Sequence, residues 1–171
     1  HLGPIRAVHA WWNDAYVRVV RAATAGGALD DAFMHAACTR GTPLWEAMEG
    51  LTKGKELALP NGYSFFDKQG DERRHARVRW WLDQPASYDE YLLVPTCAGE
   101  LPKAPVPYAG LEPAVQGTPV FVGHYWMDGV PTLDTAKLAC VDYSAGKDGA
   151  LVCYRWQGET ELDAGNFVSA S

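Results

Sequence analysis

Two histidines occupy equivalent positions in the sequence, each directly after a short apolar run. His9 follows residues 5–8, and His124 follows residues 120–123. The neutral imidazole of histidine is the commonest metal ligand in proteins, and functional groups in layered α/β proteins gather at the carboxyl ends of strands. A single histidine at the end of a strand is nevertheless more often structural. Spacing alone therefore predicts a soluble α/β domain and leaves the role of both histidines open.

A cluster of arginines precedes the Trp80-Trp81 pair and offers a second kind of chemistry. Arg73, Arg74, Arg77 and Arg79 lie within seven positions of one another. The guanidinium group matches phosphate oxygens in a two-pronged fork. Arg77 and Arg79 would share one face of a strand, so these two are the candidates for binding a substrate phosphate. Such a cluster more often forms a solvated or ion-paired strand face.

The elements that position these residues begin with helices. Three helix-capping signals are followed by apolar residues at helical spacing, which predicts three helices in the first third of the chain. The predicted capping residues are Asn13 or Asp14, Asp30 or Asp31, and Thr42, which is followed by a proline at the first helical position.

Strands are predicted for the last third of the chain. Apolar runs predict strands over residues 120–122, 138–143 and 151–156, and Asp148-Gly149 predicts a hairpin turn between the last two. Residues 95–119 contain six prolines, which predicts an irregular connection within the domain. A strand, then helices, then a loop and consecutive strands is the order expected of an α/β or α+β layered domain.

The composition narrows the class of protein. The 171 residues suit one domain or a large part of one, and 47% hydrophobic with 21% charged residues is ordinary for a globular protein. A net charge of −6 argues against binding to nucleic acid or anionic membranes. No apolar run approaches the roughly 20 residues that cross a bilayer. The four cysteines show no CxxC spacing and no secretory signal is seen, so a cytoplasmic protein is expected.

Three short segments carry a resemblance to a known family. They read VHAWW at residues 8–12, FVGHYW at 121–126 and ACVDYSAG at 139–146. In this order they resemble the later motifs of the calcineurin-like metallophosphoesterases, in a bacterial branch related to serine/threonine protein phosphatases and diadenosine tetraphosphatases. Residues 51–68 also resemble an insertion of that branch. The resemblance implies an αββα layered sandwich, of which residues 1–171 would form the C-terminal part.

The resemblance also implies a reaction and a site. Members of the family hydrolyse phosphoesters or phosphoanhydrides with water activated by two divalent metal ions, here Mn, Fe, Ni or Zn. The substrate would be a phosphoprotein, a dinucleoside polyphosphate or another nucleotide. Carried over to this chain, His9 and His124 would bind one metal ion. Asp142 would orient a metal ligand, although capping a turn is an equally good role for it.

The chain departs from the family pattern in its early motifs. GDxHG, GDxxDRG and GNHD or GNHE do not occur in this sequence. In the family they supply the remaining metal ligands and the histidine that acts as general acid, so the catalytic group is expected in a segment that precedes this stretch. Two neutral imidazoles do not balance two hard dications, which also require carboxylate oxygen. The alternative is a non-catalytic remnant of the family that acts as a binding module.

Overall fold

The computed structural model describes residues 3–24, 27–60, 62–67, 70–83, 85–94, 100–106, 115 and 117–170. This part of the chain has a mixed α/β fold with four α-helices and several small sheets. The helices are α1 (Asp14–Thr24), α2 (Asp31–Cys38), α3 (Pro43–Lys53) and α4 (Tyr88–Tyr91). None of the helices in the described residues is long and apolar enough to span a bilayer.

Side-chain caps define the starts of the first three helices. Asn13, Asp30 and Thr42 each accept a hydrogen bond, 2.7 to 3.2 Å long, from a backbone N–H in the first turn of the helix that follows. Such bonds satisfy amide groups that have no partner within the helix. The three predicted helices and their caps are therefore confirmed. α1 packs along α3, where Gly50 admits the ring of Tyr16.

A three-stranded parallel sheet carries the two histidines. Its strands are β1 (Arg6–Ala7), β7 (Val120–Val122) and β8 (Leu138–Cys140), in the order β1-β7-β8. Both pairings are parallel, so the carboxyl ends of the three strands meet at one edge. β8 is buried along its whole length, as expected of a strand covered on both faces.

The arginines lie in smaller antiparallel sheets. β2 (Glu56–Ala58), β5 (His75–Val78) and β6 (Leu92–Leu93) form one sheet in the order β2-β5-β6, and β3 (Phe65–Phe66) pairs with β4 (Glu72–Arg73) in another. A single apolar core joins these sheets to the parallel sheet. Its fully buried members include Val78, Trp81, Leu92, Val120 and Val122.

The predicted hairpin between residues 138–143 and 151–156 is wrong. β9 (Leu151–Tyr154) pairs with β10 (Phe167–Ala170) in a two-stranded antiparallel sheet, whereas β8 pairs with β7. Gly149 N–H closes a local turn on the carbonyl of Ser144, so the chain does not return along β8. Asp148 does adopt the left-handed backbone of a hairpin turn, with φ 62°. The local turn signal was therefore real, but burial of β8 on both faces decided its partner.

The last strands are consecutive along the chain, as predicted, although they belong to two sheets. In the predicted Pro-rich connection, residues 95–99, 107–114 and 116 lie outside the described residues. The described residues 100–106 and 117–119 form no helix or strand beyond one bridge between Ser87 and Pro105.

Replacing Gly50 with alanine should destabilise the α1–α3 packing. An added Cβ would stand 2.3 Å from a ring carbon of Tyr16, and that ring is held edge-on against Trp11. Overpacking of this kind costs about 1–3 kcal/mol, which outweighs the roughly 1 kcal/mol that alanine gains over glycine in a helix. Urea denaturation measures the free energy of unfolding. Gly146→Ala is the control, because a Cβ there meets nothing within 4 Å; equal stability of the two variants would contradict the packing described.

Candidate metal centre

His9 and His124 lie side by side at the carboxyl edge of the parallel sheet. Their ring centroids are 5.1 Å apart and their planes are inclined by 63°. The two strand ends are joined by a hydrogen bond from Gly123 N–H to the carbonyl of His9, at 2.9 Å. His9 is exposed and His124 is half-buried. The expected proximity of the two rings is confirmed, whereas their role as metal ligands remains a prediction.

The backbone at His124 has an unusual conformation. Its φ is 69°, and Tyr125 N–H donates to the carbonyl of Gly123 at 2.8 Å. A bond from residue i+2 to residue i around a central residue with positive φ is the rare and strained form of the γ-turn. Such strain, of order 1–3 kcal/mol, persists where the surroundings enforce it, and it is concentrated at functional sites.

The His124 ring is held in its neutral form. The pKa of His124 is lowered to about 4, first by burial and then by the charges of Arg77 and His9, which outweigh the opposing effects of the Lys53 backbone and the Asp142 charge. Its Nε2 atom is buried and has no hydrogen-bond partner among the described residues. A neutral imidazole with an unpartnered nitrogen is the form that binds a metal ion.

Tyr125 ties together the loops that carry the two histidines. Its hydroxyl donates to the carbonyl of Ala10 at 3.1 Å and accepts from Trp80 Nε1 at 2.9 Å. Burial raises the pKa of Tyr125, which keeps the hydroxyl protonated and able to donate. Gly54 leaves room for this hydroxyl, because a Cβ at that position would lie 3.1 Å from it.

The C-terminal end of α3 abuts the same edge of the sheet. Ala10 N–H donates to the carbonyl of Leu51 in the last turn of α3, at 2.9 Å, and the backbone of Lys53 interacts with the His124 ring. The carboxyl end of a helix carries a partial negative charge that favours cations. α3 therefore contributes a fixed field of the right sign for a metal ion.

Asp142 lies at this edge as well, but it has a structural role. Its Oδ1 accepts the backbone N–H of Ser144 at 3.1 Å, so the carboxylate caps the turn after β8. Its charge nevertheless acts on His124 and raises the pKa of that ring. The turn-capping alternative is thus confirmed, and an orienting role for Asp142 stays a prediction.

The four arginines divide into two pairs. Arg73 forms an ion pair with Asp67 at 2.7 Å, and Arg74 lies 3.5 Å from Glu72, so these two form the ion-paired face that the sequence also allowed. In the described part of the chain, Arg77 and Arg79 form no ion pair with a carboxylate. Arg77 Nη1 instead donates to the carbonyl of His124, at a long 3.4 Å.

Arg77 and Arg79 line a cavity of about 820 Å³ beside the histidine pair. Neither His9 nor His124 is part of its wall, so the cavity adjoins the metal candidate without enclosing it. Arg77 connects the two through its bond to His124. The remaining wall is formed by Glu56, Phe65, Asp67, Glu72, Arg73, Arg74, His75, Ala76, Leu93, Val94, Tyr125, Trp126, Met127 and Asp128.

The residues present fit part of a metal site. Two imidazoles meet at a sheet edge, one of them neutral with a free buried nitrogen. Within the described ranges, no group of three or more His, Cys, Asp or Glu side chains is arranged to hold a metal ion. The described chain thus presents a two-histidine partial ligand set. His35 and His75 are exposed and lie on other elements.

This chain was compared with known protein families, curated proteins and solved structures. No protein-family model, no curated protein and no solved structure matches the chain. The relationship to metallophosphoesterases therefore rests on the three motifs, and it stays a prediction.

The depressed pKa of His124 predicts a loss of stability in mild acid. With a chelator present, the unfolded chain takes up a proton at this ring below pH 6.5, while the folded chain takes it up only near pH 4. The free energy of unfolding should therefore fall as the pH drops from 6.5 towards 4. Urea denaturation across this range should show a shallower fall in His124→Gln than in the original chain. An NMR titration that places the His124 midpoint near 6.5 would refute the burial effect.

Removing the Tyr125 hydroxyl should loosen the link between the two loops. Tyr125→Phe leaves Trp80 Nε1 and the carbonyl of Ala10 without this partner in a buried place, which costs about 1–3 kcal/mol. Thermal and urea denaturation measure this loss. Tyr63→Phe serves as the control, since Tyr63 is 47% exposed; a similar loss in both variants would contradict the proposed link.

Proposed function

We propose that this chain supplies metal-binding and phosphate-binding groups to a hydrolase of the calcineurin-like metallophosphoesterase superfamily. The reaction would be metal-dependent cleavage of a phosphoester or phosphoanhydride, and the fold of the intact protein would be the αββα sandwich. The observation that carries the proposal is the pairing of His9 with His124, ring centroids 5.1 Å apart, at the carboxyl edge of a parallel sheet.

His9 and His124 would hold one divalent ion. Low proton affinity keeps the His124 ring neutral at neutral pH, and its buried Nε2 has no hydrogen-bond partner among the described residues. His9 is exposed, so its ring can turn towards the same point. The Gly123–His9 bond and the Tyr125 hydroxyl keep the two strand ends at a constant spacing. When bound, a pair of such ions lowers the pKa of a water molecule and neutralises charge on phosphoryl oxygens.

Arg77 and Arg79 would hold the phosphate of the substrate. Their charges are not neutralised by ion pairs within the described residues, in contrast to those of Arg73 and Arg74. Arg77 bonds to the His124 carbonyl, so a phosphate on Arg77 would lie beside the histidine pair. Guanidinium groups bind phosphate through two parallel N–H bonds, which fixes orientation as well as position.

The remaining ligands are part of the same proposal. Carboxylates for Mn, Fe, Ni or Zn, together with a general-acid histidine, would come from the early family motifs in the intact protein. Asp142 would act on the metal indirectly, through its charge on His124. A cytoplasmic location is supported by Cys38, Cys140 and Cys153, which are free thiols, as expected in a reducing compartment.

A non-catalytic binding module is the second candidate. It is favoured by the aromatic side chains exposed near the cavity, such as Trp126 and Phe66, which are 39% and 62% exposed. Exposed aromatic residues are enriched where proteins bind partners. The two candidates differ in turnover: a module of this kind binds phosphates or partners without hydrolysing them.

The histidine pair should bind a divalent ion in this chain. Titration with Zn²⁺ by calorimetry, and with Co²⁺ by visible absorption, should show one site that weakens in both His9→Ala and His124→Ala. Loss of an outer-shell partner already lowers metal affinity 10–100-fold, so loss of a direct ligand should lower it at least about tenfold. His35→Ala is the matched control, an exposed histidine on α2.

Turnover tests the enzyme itself. In the intact protein with added Mn²⁺, hydrolysis of p-nitrophenyl phosphate should be lost in His124→Ala and retained in His35→Ala. Unchanged turnover in His124→Ala would remove this residue from the site. Metal binding without turnover in the intact protein would favour the binding module.

A further inference from the structure

Trp126 is an exposed aromatic residue in a costly conformation. It lies in the loop between β7 and β8 with φ 51°, and left-handed backbone is unfavourable for a bulky side chain. Its side chain remains 39% exposed and borders the cavity. The strain therefore does not bring the ring into the core; it presents the ring at the rim of the cavity.

Lys147 fixes the Trp126 ring from outside the cavity. Its Nζ lies 4.4 Å from the ring centroid, within the range of a cation–π contact. Lys147 belongs to the short 3₁₀ turn Ala145–Lys147, which is flanked by Ser144 and Asp148, both with left-handed backbone. Lys147 is not part of the cavity wall, whereas Trp126 is. Lys147 therefore contacts the ring without itself lining the cavity.

The same cavity holds two arginines that form no ion pair within the described residues, Arg77 and Arg79. The neighbouring Arg73 and Arg74 are instead engaged by Asp67 and Glu72. Apolar side chains complete the lining, among them Leu93, Val94 and Met127. Charged donors, an apolar wall and an exposed indole thus share one concave surface.

We propose that this cavity binds a phosphate ester that carries a flat aromatic group. The phosphate would lie on Arg77 and Arg79, and the aromatic group would stack on Trp126, the ring that Lys147 contacts. A volume of about 820 Å³ is within the range of pockets that take small organic ligands. The phosphate half of this inference rests on the proposed function. The aromatic half of the inference rests on Trp126. Stacking on this residue would favour phosphates that carry a ring over phosphates that lack one.

Two matched ligand pairs test the aromatic contact. AMP and ribose 5-phosphate share the sugar phosphate and differ in the base, while phosphotyrosine and phosphoserine differ in the aryl ring. The original chain is titrated with each by calorimetry in the presence of EDTA, so that no metal ion contributes. Stacking of a base on an aromatic side chain should make the ring-bearing member of at least one pair bind roughly tenfold more tightly. The pair that shows this preference identifies the ring as a nucleoside base or an aryl group.

Variants assign the preference to Trp126. Trp126→Ala should abolish it, Trp126→Phe should retain most of it, and Tyr63→Ala, which removes an exposed aromatic residue outside the cavity wall, should leave it unchanged. The double substitution of Arg77 and Arg79 by alanine should weaken all four ligands alike. Circular dichroism checks folding, and if Trp126→Ala does not fold, Trp126→Leu replaces it, because leucine removes the ring and keeps an apolar side chain.

The outcomes separate this inference from the proposed function. Equal affinity within both ligand pairs, no binding of any of the four, or a preference that survives in a folded Trp126→Ala protein overturns the inference. A ring preference without metal binding at His9 and His124 supports the ligand and refutes the hydrolase. Metal binding and turnover without a ring preference refute the ligand alone.

Discussion

The hydrogen bond between Gly123 N–H and the His9 carbonyl is the contact on which the candidate site depends. It extends the parallel pairing of β1 and β7 past the last paired residues, so that the two strands end at the same level. The strand ends bring His9 and His124 together. The buried hydroxyl of Tyr125 links the loops that follow the two strands through its hydrogen bond to the carbonyl of Ala10. In this position the pKa of the His124 ring is lowered, first by burial and then by the charges of Arg77 and His9.

Strain is concentrated where the chemistry is proposed. His124, Trp126, Ser144 and Asp148 are the non-glycine residues with positive φ in the described chain, and all four lie in the two loops that follow β7 and β8. Residues of this kind are uncommon outside glycine and asparagine. The buried parallel strands provide the rigidity that keeps these loops in place. The fold thus uses the stability of β7 and β8 to hold side chains that the loops alone would not hold.

Features determined by neighbouring residues were predictable from the sequence, whereas those determined by distant contacts were not. Asn13, Asp30 and Thr42 cap helices through bonds within one turn, and a short sequence window is enough to recognise them. The partner of β8 depends on burial from both sides, so the Asp148-Gly149 signal misled. The ion pairs of Arg73 and Arg74 follow from the β3–β4 pairing and its turn. The proximity of His9 and His124 was predicted only through the family resemblance, and the parallel pairing of β1 with β7 is its physical cause.

β1 consists of only two residues. Its partner β7 is distant in the sequence, because the α-helices and the arginine-bearing sheets come between the two strands along the chain. Such a pairing closes the longest loop of the fold and gains few backbone bonds in return. It should form late in folding, after the helical hairpin of α1 and α3. It should also open first under native conditions, because short elements with few bonds exchange their amide hydrogens through local opening. Release of β1 would separate His9 from His124 while the rest of the chain stays folded, so a metal ion that bound both histidines would also favour the docking of β1.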